Sequence, residues 1–240
     1  MPPHDSTPPF DSTAEAVRAW VAGWVVSRGA ADPVPQPWGL TVDVGLPHHA
    51  TRHVMTDADE ATVRKLAKAY AAPAVALKMF LEPETVAPWL GVEWVSDGPG
   101  WLMTAPLDAL PRTDAPEGYT VKSWQRGGVT RVLVLAPDGG FAARGQVAPT
   151  GRTAVVDQVE TDPAHRRKGL GALVMRTLQG AAYEQGATVG VLGATTEGRG
   201  LYESLGWRVY APLVGVTYSA EPSQDGLPMT ANFSPAHHGR

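Results

Sequence analysis

The chain has 240 residues, 43% apolar and 18% charged, a length and mix that can build a sizeable core without metal or disulfide staples. Cysteine is absent, which excludes disulfides, thiolate zinc sites and a cysteine nucleophile together. A formal charge of -4 does not favour nucleic acid, and neither a membrane-length apolar run nor a signal-peptide pattern in MPPHDSTPPFDS is found, so a soluble, cytoplasmic protein with no nucleic-acid or membrane partner is expected. The charge is unevenly spread: residues 1–110 hold 7 Lys/Arg against 13 Asp/Glu, and residues 111–240 hold 13 against 11. The second part is the more welcoming to an anion, the first to a cation.

Residues 1–11 carry four prolines and no apolar period, and read as a mobile leader. Ser12 and Glu15 then form an S-x-x-E capping box. Val17, Trp20, Val21, Trp24 and Val25 follow at helical spacing, and Gly29 supplies the stop. After a Pro-rich connector, Leu40, Val42 and Val44 alternate as a strand does. A second helix is predicted over about 57–71 with Val63, Leu66 and Tyr70 on one face. Strands are predicted at 75–80 and 101–105, around a short segment near 85–90. Residues 12–105 thus make an α/β amino-terminal domain, and 106–116, rich in Pro and Asp, a linker.

Beyond the linker, strands are predicted at 119–124 and 129–135, with Pro137-Asp138-Gly139-Gly140 turning into a strand at 141–147. A strand at 154–161, a helix at 170–185, a strand at 189–193, a helix ending at Leu205-Gly206 and closing strands at 207–210 and 214–218 complete a domain over 117–220. Residues 221–240 read as a disordered tail whose His237-His238 pair is incidental.

The most informative stretch is Val159-Glu160-Thr161-Asp162-Pro163-Ala164-His165-Arg166-Arg167-Lys168-Gly169-Leu170-Gly171. A strand, a basic Gly-containing loop and a helix start follow one another there, so successive backbone N–H groups converge and favour an anion such as a pyrophosphate. Glycines admit the phosphates without a Cβ in the way, and Arg166, Arg167 and Lys168 add mobile positive charge. The spacing is neither the G-x-x-x-x-G-K-[ST] phosphate loop nor the G-x-G-x-x-G dinucleotide fingerprint.

Arg166-x-x-Gly169-x-Gly171 after a Val-x-Thr-x-Pro strand closely resembles the acetyl-CoA signature of the GNAT superfamily of N-acyltransferases. Downstream, Leu201-Tyr202-Glu203-Ser204-Leu205-Gly206-Trp207 is similar to that family's second signature, and the resemblance spans about residues 117–219. It implies an α/β GNAT fold, a mixed and mostly antiparallel sheet flanked by helices, here completed by the amino-terminal half. It also implies that the 154–161 strand splays from its neighbour at 189–193 and that acetyl-CoA lies in the gap as co-substrate. Main-chain groups at Val159, Glu160 and Thr161 would then hold the pantetheine arm. The N–H groups of Arg166, Arg167, Lys168, Gly169, Leu170 and Gly171 would hold the pyrophosphate, and a free N–H near Val159 would face the thioester carbonyl. Tyr202 matches the family tyrosine that serves as general acid, since a phenol can hydrogen-bond or protonate the departing CoA thiolate.

The general base has no clear signature. Where some family members carry a glutamate this chain has Val155, and the alternative position is Gly190. Strict alternation sends Asp157 and Glu160 to opposite faces, with Asp157 on the side of Val155, which makes Asp157 the candidate base. His48, His49 and His53 offer a second source of a base. No third ligand accompanies the His49/His53 spacing, so no metal is expected. The family's two helices between its first strands are missing, because only Gln125–Gly128 separate Trp124 from Val129. Residues 12–105 must supply that wall of the acceptor site, and their acidity suggests a cationic acceptor. The expected activity is acetyl transfer to a primary amine of a small molecule or peptide by direct attack in a ternary complex, in a monomer or a homodimer. The alternative is an acyl-CoA-binding sensor without transfer activity.

Overall fold

The computed structural model describes residues 8–111 and 113–220, so the start of the leader and the tail with its His237-His238 pair lie outside the described residues. In chain order the elements are α1 (Thr13–Arg28), β1 (Val34–Gln36), β2 (Gly39–Leu46), β3 (His49–Met55), α2 (Glu60–Ala69), β4 (Val75–Met79), the single turn α3 (Pro83–Val86) and β5 (Trp94–Pro106). They continue with β6 (Thr120–Arg126), β7 (Val129–Leu135), β8 (Phe141–Thr150), β9 (Thr153–Thr161), α4 (Leu170–Glu184), β10 (Val189–Thr195), α5 (Thr196–Ser204) and β11 (Arg208–Tyr218). Among the described residues, all eleven strands join one sheet in the order β1-β2-β3-β4-β11-β5-β10-β9-β8-β7-β6. Only the β3/β4 and β9/β10 pairs are parallel.

Helix α1 forms where its capping box lies. Ser12 Oγ accepts the Glu15 N–H at 3.2 Å, the Glu15 carboxylate accepts the Asp11 N–H at 2.8 Å, and Gly29 ends the helix in the left-handed region. Its buried stripe of Val17, Trp20, Val21, Trp24 and Val25 lies on β8, β9 and β10. On the opposite face of the sheet, over β7, β8 and β9, α4 buries Leu170, Leu173, Val174 and Leu178. Helix α2 packs Val63 and Leu66 against Leu77 and Met79 of β4 and Val214 of β11.

Strand β5 is the join. It begins seven residues earlier than the apolar pattern predicts, and it is hydrogen-bonded to β10 on one side and to β11 on the other. The stretch from 107 to 119 therefore leads away from a strand embedded among strands of the second half. The two expected closing strands are one strand, β11, with register shifts at Tyr210 and Gly215. β1 and β3 have no counterpart in the apolar pattern.

Candidate functional site

Strands β9 and β10 pair over only three residues, Thr153–Val155 against Val189–Val191. Past Val155, β9 stays with β8 and β10 stays with β5, so the two strands part and their main-chain edges face a gap. Within this stretch β9 carries a bulge. Gln158 has φ 54°, and the register passes from Gln146↔Asp157 to Arg144↔Glu160. The extra residue resets the alternation. Val159 turns to the α4 face beside Val174 and Leu178, and Asp157 and Glu160 share the α1 face, contrary to the expectation of opposite faces. Glu160 pairs there with Arg144 across the strands at 2.8 Å.

Asp157 is not a free base. Its Oδ1 accepts from Arg28 Nη2 at 2.9 Å and from the Gln158 N–H at 2.9 Å, and its Oδ2 accepts from Arg28 Nε and, at 3.0 Å, from Ser27 Oγ. With both oxygens committed, it braces the bulge and ties it to the end of α1. The two positions where a glutamate base could have stood are closed by packing. A Cβ on Gly23 would overlap Val155 Cγ2, and a Cβ on Gly190 would lie 2.7 Å from Trp207 Cη2.

The loop after Thr161 is shaped into a cradle by local hydrogen bonds and left-handed residues. Asp162 Oδ1 accepts the Ala164 N–H at 2.8 Å and shapes a 3-10 turn; Arg167 then takes φ 61° and Gly169 φ 78°. A left-handed non-glycine residue is uncommon, and a turn of this kind is the backbone arrangement from which anion-binding concavities are built. Gly169 occupies the N-cap of α4 without a capping side chain. The N–H groups of Leu170, Gly171 and Ala172 precede the helical bond from the Leu173 N–H to the Gly169 carbonyl. Gly171 is where α5 comes close, since a Cβ would meet Leu201 Cδ2 at 2.8 Å. The side chains of Arg166, Arg167 and Lys168 are exposed around this start. Uncapped donors, the helix dipole and three cations fit a pyrophosphate, and the adjoining gap fits an extended amide-bearing arm.

Tyr202 lies in α5, 8% exposed, beside Gly198 and with its ring centre 6.3 Å from that of Trp207. Burial pushes its hydroxyl up to about 12, and the negative charge of Asp157 adds to the shift. The two residues are thus electrostatic neighbours.

On the α1 face, strands of the first half bring further polar groups to the same end of the sheet. Lys78 of β4 pairs with Asp97 of β5 at 2.5 Å over Gly215, whose missing side chain leaves them room, and Thr217 Oγ1 donates to Asp97 Oδ1 at 3.0 Å. Burial works to raise the Asp97 carboxyl, but Lys78 and Thr217 hold it below the usual carboxylate range. Arg52 of β3 stacks 4.0 Å from the ring centre of Trp24 and donates from Nε to His49 Nε2 at 3.3 Å. His49 must then carry its proton on Nδ1, and burial together with Arg52 pushes it down to about 3. It is a poor base at neutral pH. His53 belongs elsewhere, stacked 3.8 Å from Tyr70 and within 3.0 Å of Thr41 Oγ1, while His48 is exposed. Among the described residues no three His, Asp or Glu side chains cluster to hold a metal. The Arg52, Lys78 and Asp97 grouping escapes sequence reasoning because its members sit on three strands. The usable signal is a lone charge inside a buried run, as with Lys78 in Val75–Met79.

Residues 125–209 match the family model described as an acetyltransferase (GNAT) domain. A GCN5-related N-acetyltransferase from Kribbella flavida is similar in fold, with a TM-score of 0.63 at 20% identity over 87% of this chain and 96% of that one. So is a protein described as an acetyltransferase from the GNAT family of Novosphingobium aromaticivorans, at TM-score 0.53 and 18% identity over 85% and 97%. No curated protein matches the sequence.

Proposed function

We propose, from the match of residues 125–209 to the family model described as an acetyltransferase (GNAT) domain, that this chain transfers an acetyl group from acetyl-CoA to a primary amine of a small molecule or peptide, by direct attack within a ternary complex. The observation that carries this reading is the bulged gap between β9 and β10 opening beside the uncapped start of α4. Acetyl-CoA supplies the activated acyl group when bound; the remaining work belongs to this chain.

The N–H groups of Leu170, Gly171 and Ala172, with Arg166, Arg167 and Lys168, bind the pyrophosphate. The free edge of β9 from Val159 to Thr161 aligns the arm, and an N–H near Val159 donates to the thioester oxygen. Tyr202 donates a hydrogen bond to the departing sulfur. Its hydroxyl at about 12 lies well above an ordinary thiol at ~8.5, so it acts by holding its proton toward the sulfur rather than by full transfer. With Asp157, Asp97 and His49 already engaged, the amine proton leaves through water. The test is thiol release from acetyl-CoA against an amine panel, alongside calorimetric titration with acetyl-CoA. Release that rises with one amine class, together with micromolar acetyl-CoA binding, is expected. Tight binding without release for every amine would instead support a sensor.

A further inference from the structure

Among the described residues, the α1 face at the mouth of the gap holds three cations, Arg28, Arg52 and Lys78, against two carboxylates. Both carboxylates are taken: Asp157 by Arg28, and Asp97 by Lys78. Arg52 is left over. Its side chain is covered by the Trp24 ring, the residue is 8% exposed, and its one hydrogen bond among the described residues runs from Nε to His49. The terminal amino groups, with four N–H donors in one plane, have no protein acceptor among the described residues.

Asp97 and Asp157 offset the charge of Arg52 only through space, since each is already hydrogen-bonded to another cation, and a largely covered charge in such surplus is costly. Burial and the charge of Arg28 bring Arg52 down only to about 10, with Asp97 and Asp157 acting the other way, so the group stays cationic at neutral pH. The approach is also cationic. A groove between the end of α1 and the β6–β7 hairpin is lined by Arg28, Arg126 and Arg131 with Trp124, a field that draws anions inward.

We propose that the acceptor amine carries an anionic group, a carboxylate, which docks in a two-pronged pair on Arg52 under Trp24 while the amine reaches the gap between β9 and β10. The substrate class is therefore an amino acid or a molecule with an equivalent amino-carboxylate end. This deepens the transferase reading and rests on it. It also departs from the purely cationic acceptor that the acidity of the first half suggests, because the local charge around the gap is positive. A guanidinium fork matches the two oxygens of a carboxylate in its plane, which a lysine at this place could not do.

The experiment compares ω-amino carboxylates, the corresponding aminophosphonates and plain alkylamines, each with two to five methylenes, in the thiol-release assay. The wild type should favour the carboxylate over the alkylamine of matched length by at least about tenfold in kcat/KM, most of it in KM. Arg52→Gln should erase that preference with acetyl-CoA affinity unchanged, and Arg52→Lys should keep part of it. A phosphonate preferred over the carboxylate, or an alkylamine equal to both at every length, would overturn the assignment. So would an Arg52→Gln variant that keeps the preference, or loses activity equally on all three. A second readout needs no turnover: the melting temperature of the wild type with CoA should rise with the amino carboxylates and not with alkylamines, a rise lost in Arg52→Gln. If that shift is seen while no amine is acetylated, the transferase reading fails and the carboxylate site stands. If acetylation occurs with no such shift and no preference, the reverse holds.

Discussion

His49 accepts from Arg52, so adding a proton to its ring would place two cations against each other in a buried site. Its folded value of about 3 lies below the ordinary 6.5, so the unfolded chain binds the proton first and stability falls as pH drops from about 6.5 toward 3. The slope from this one group reaches about 1.4 kcal/mol per pH unit. Urea unfolding at pH 7, 5.5 and 4 should show a shallower acid loss in His49→Gln than in the wild type. For Tyr202→Phe, steady-state turnover should fall about 100-fold or more while acetyl-CoA affinity holds. Because the hydroxyl stays protonated far above neutrality, no fall in rate below pH 10 should trace to it. Gly169→Asp combines a left-handed backbone with a negative charge at the cradle, and calorimetry should show acetyl-CoA binding weakened more than tenfold in a folded variant. The places of Gly169 and Tyr202 in the fold are legible in the sequence because they are set locally, a glycine before a helix and a tyrosine near a helix end. Arg52 is not, since its meaning depends on Trp24, His49 and two spent carboxylates brought from other elements.

At the level of elements, the close seat of α1 on β9 rests on Gly23. A Cβ there gains up to about 1 kcal/mol of helix propensity but overlaps Val155 and comes within 3.2 Å of the Ala148 carbonyl, an overpacking cost of about 1–3 kcal/mol. Gly23→Ala should thus be net destabilising. Combined with Val155→Ala, the loss in chemical denaturation should be smaller than the sum of the two single losses by about 1 kcal/mol or more. The capping box and the Trp stripe make α1 readable. β3 is hidden because Arg52 and His53 are buried polar groups that break the apolar alternation, and the early part of β5 is hidden by Asp97, Gly98 and Pro99. The bulge at Gln158 has no residue-type signal at all; a left-handed glutamine is imposed by the register with β8 and propped by Asp157.

At the scale of the whole molecule, the position of β5 means that residues 107–220 alone would leave β10 and β11 without the strand between them. That fragment, expressed by itself, should aggregate or fail to show a cooperative melt. Tyr218 is in register with Trp94, so a short turn followed by a copy of residues 94–106 appended after residue 219 would restore the strand as a hairpin. Size-exclusion chromatography should find this extended fragment less aggregated than the plain one, although the face of β8, β9 and β10 that α1 covers is bare in both; equal behaviour of the two would deny β5 its role as a keystone. The same placement matters on the ribosome. β5 emerges with Leu102 and Met103 ready to be buried, yet both of its neighbours are encoded later, β10 beginning at Val189 and β11 at Arg208. At typical synthesis rates of about 5–20 residues per second, the strand waits roughly 4–17 s before even its first partner is made. For that interval the nascent chain displays two unpaired strand edges, so its yield in the cell should depend on chaperone capture and on translation speed across residues 107–188 more than on the stability of the finished protein.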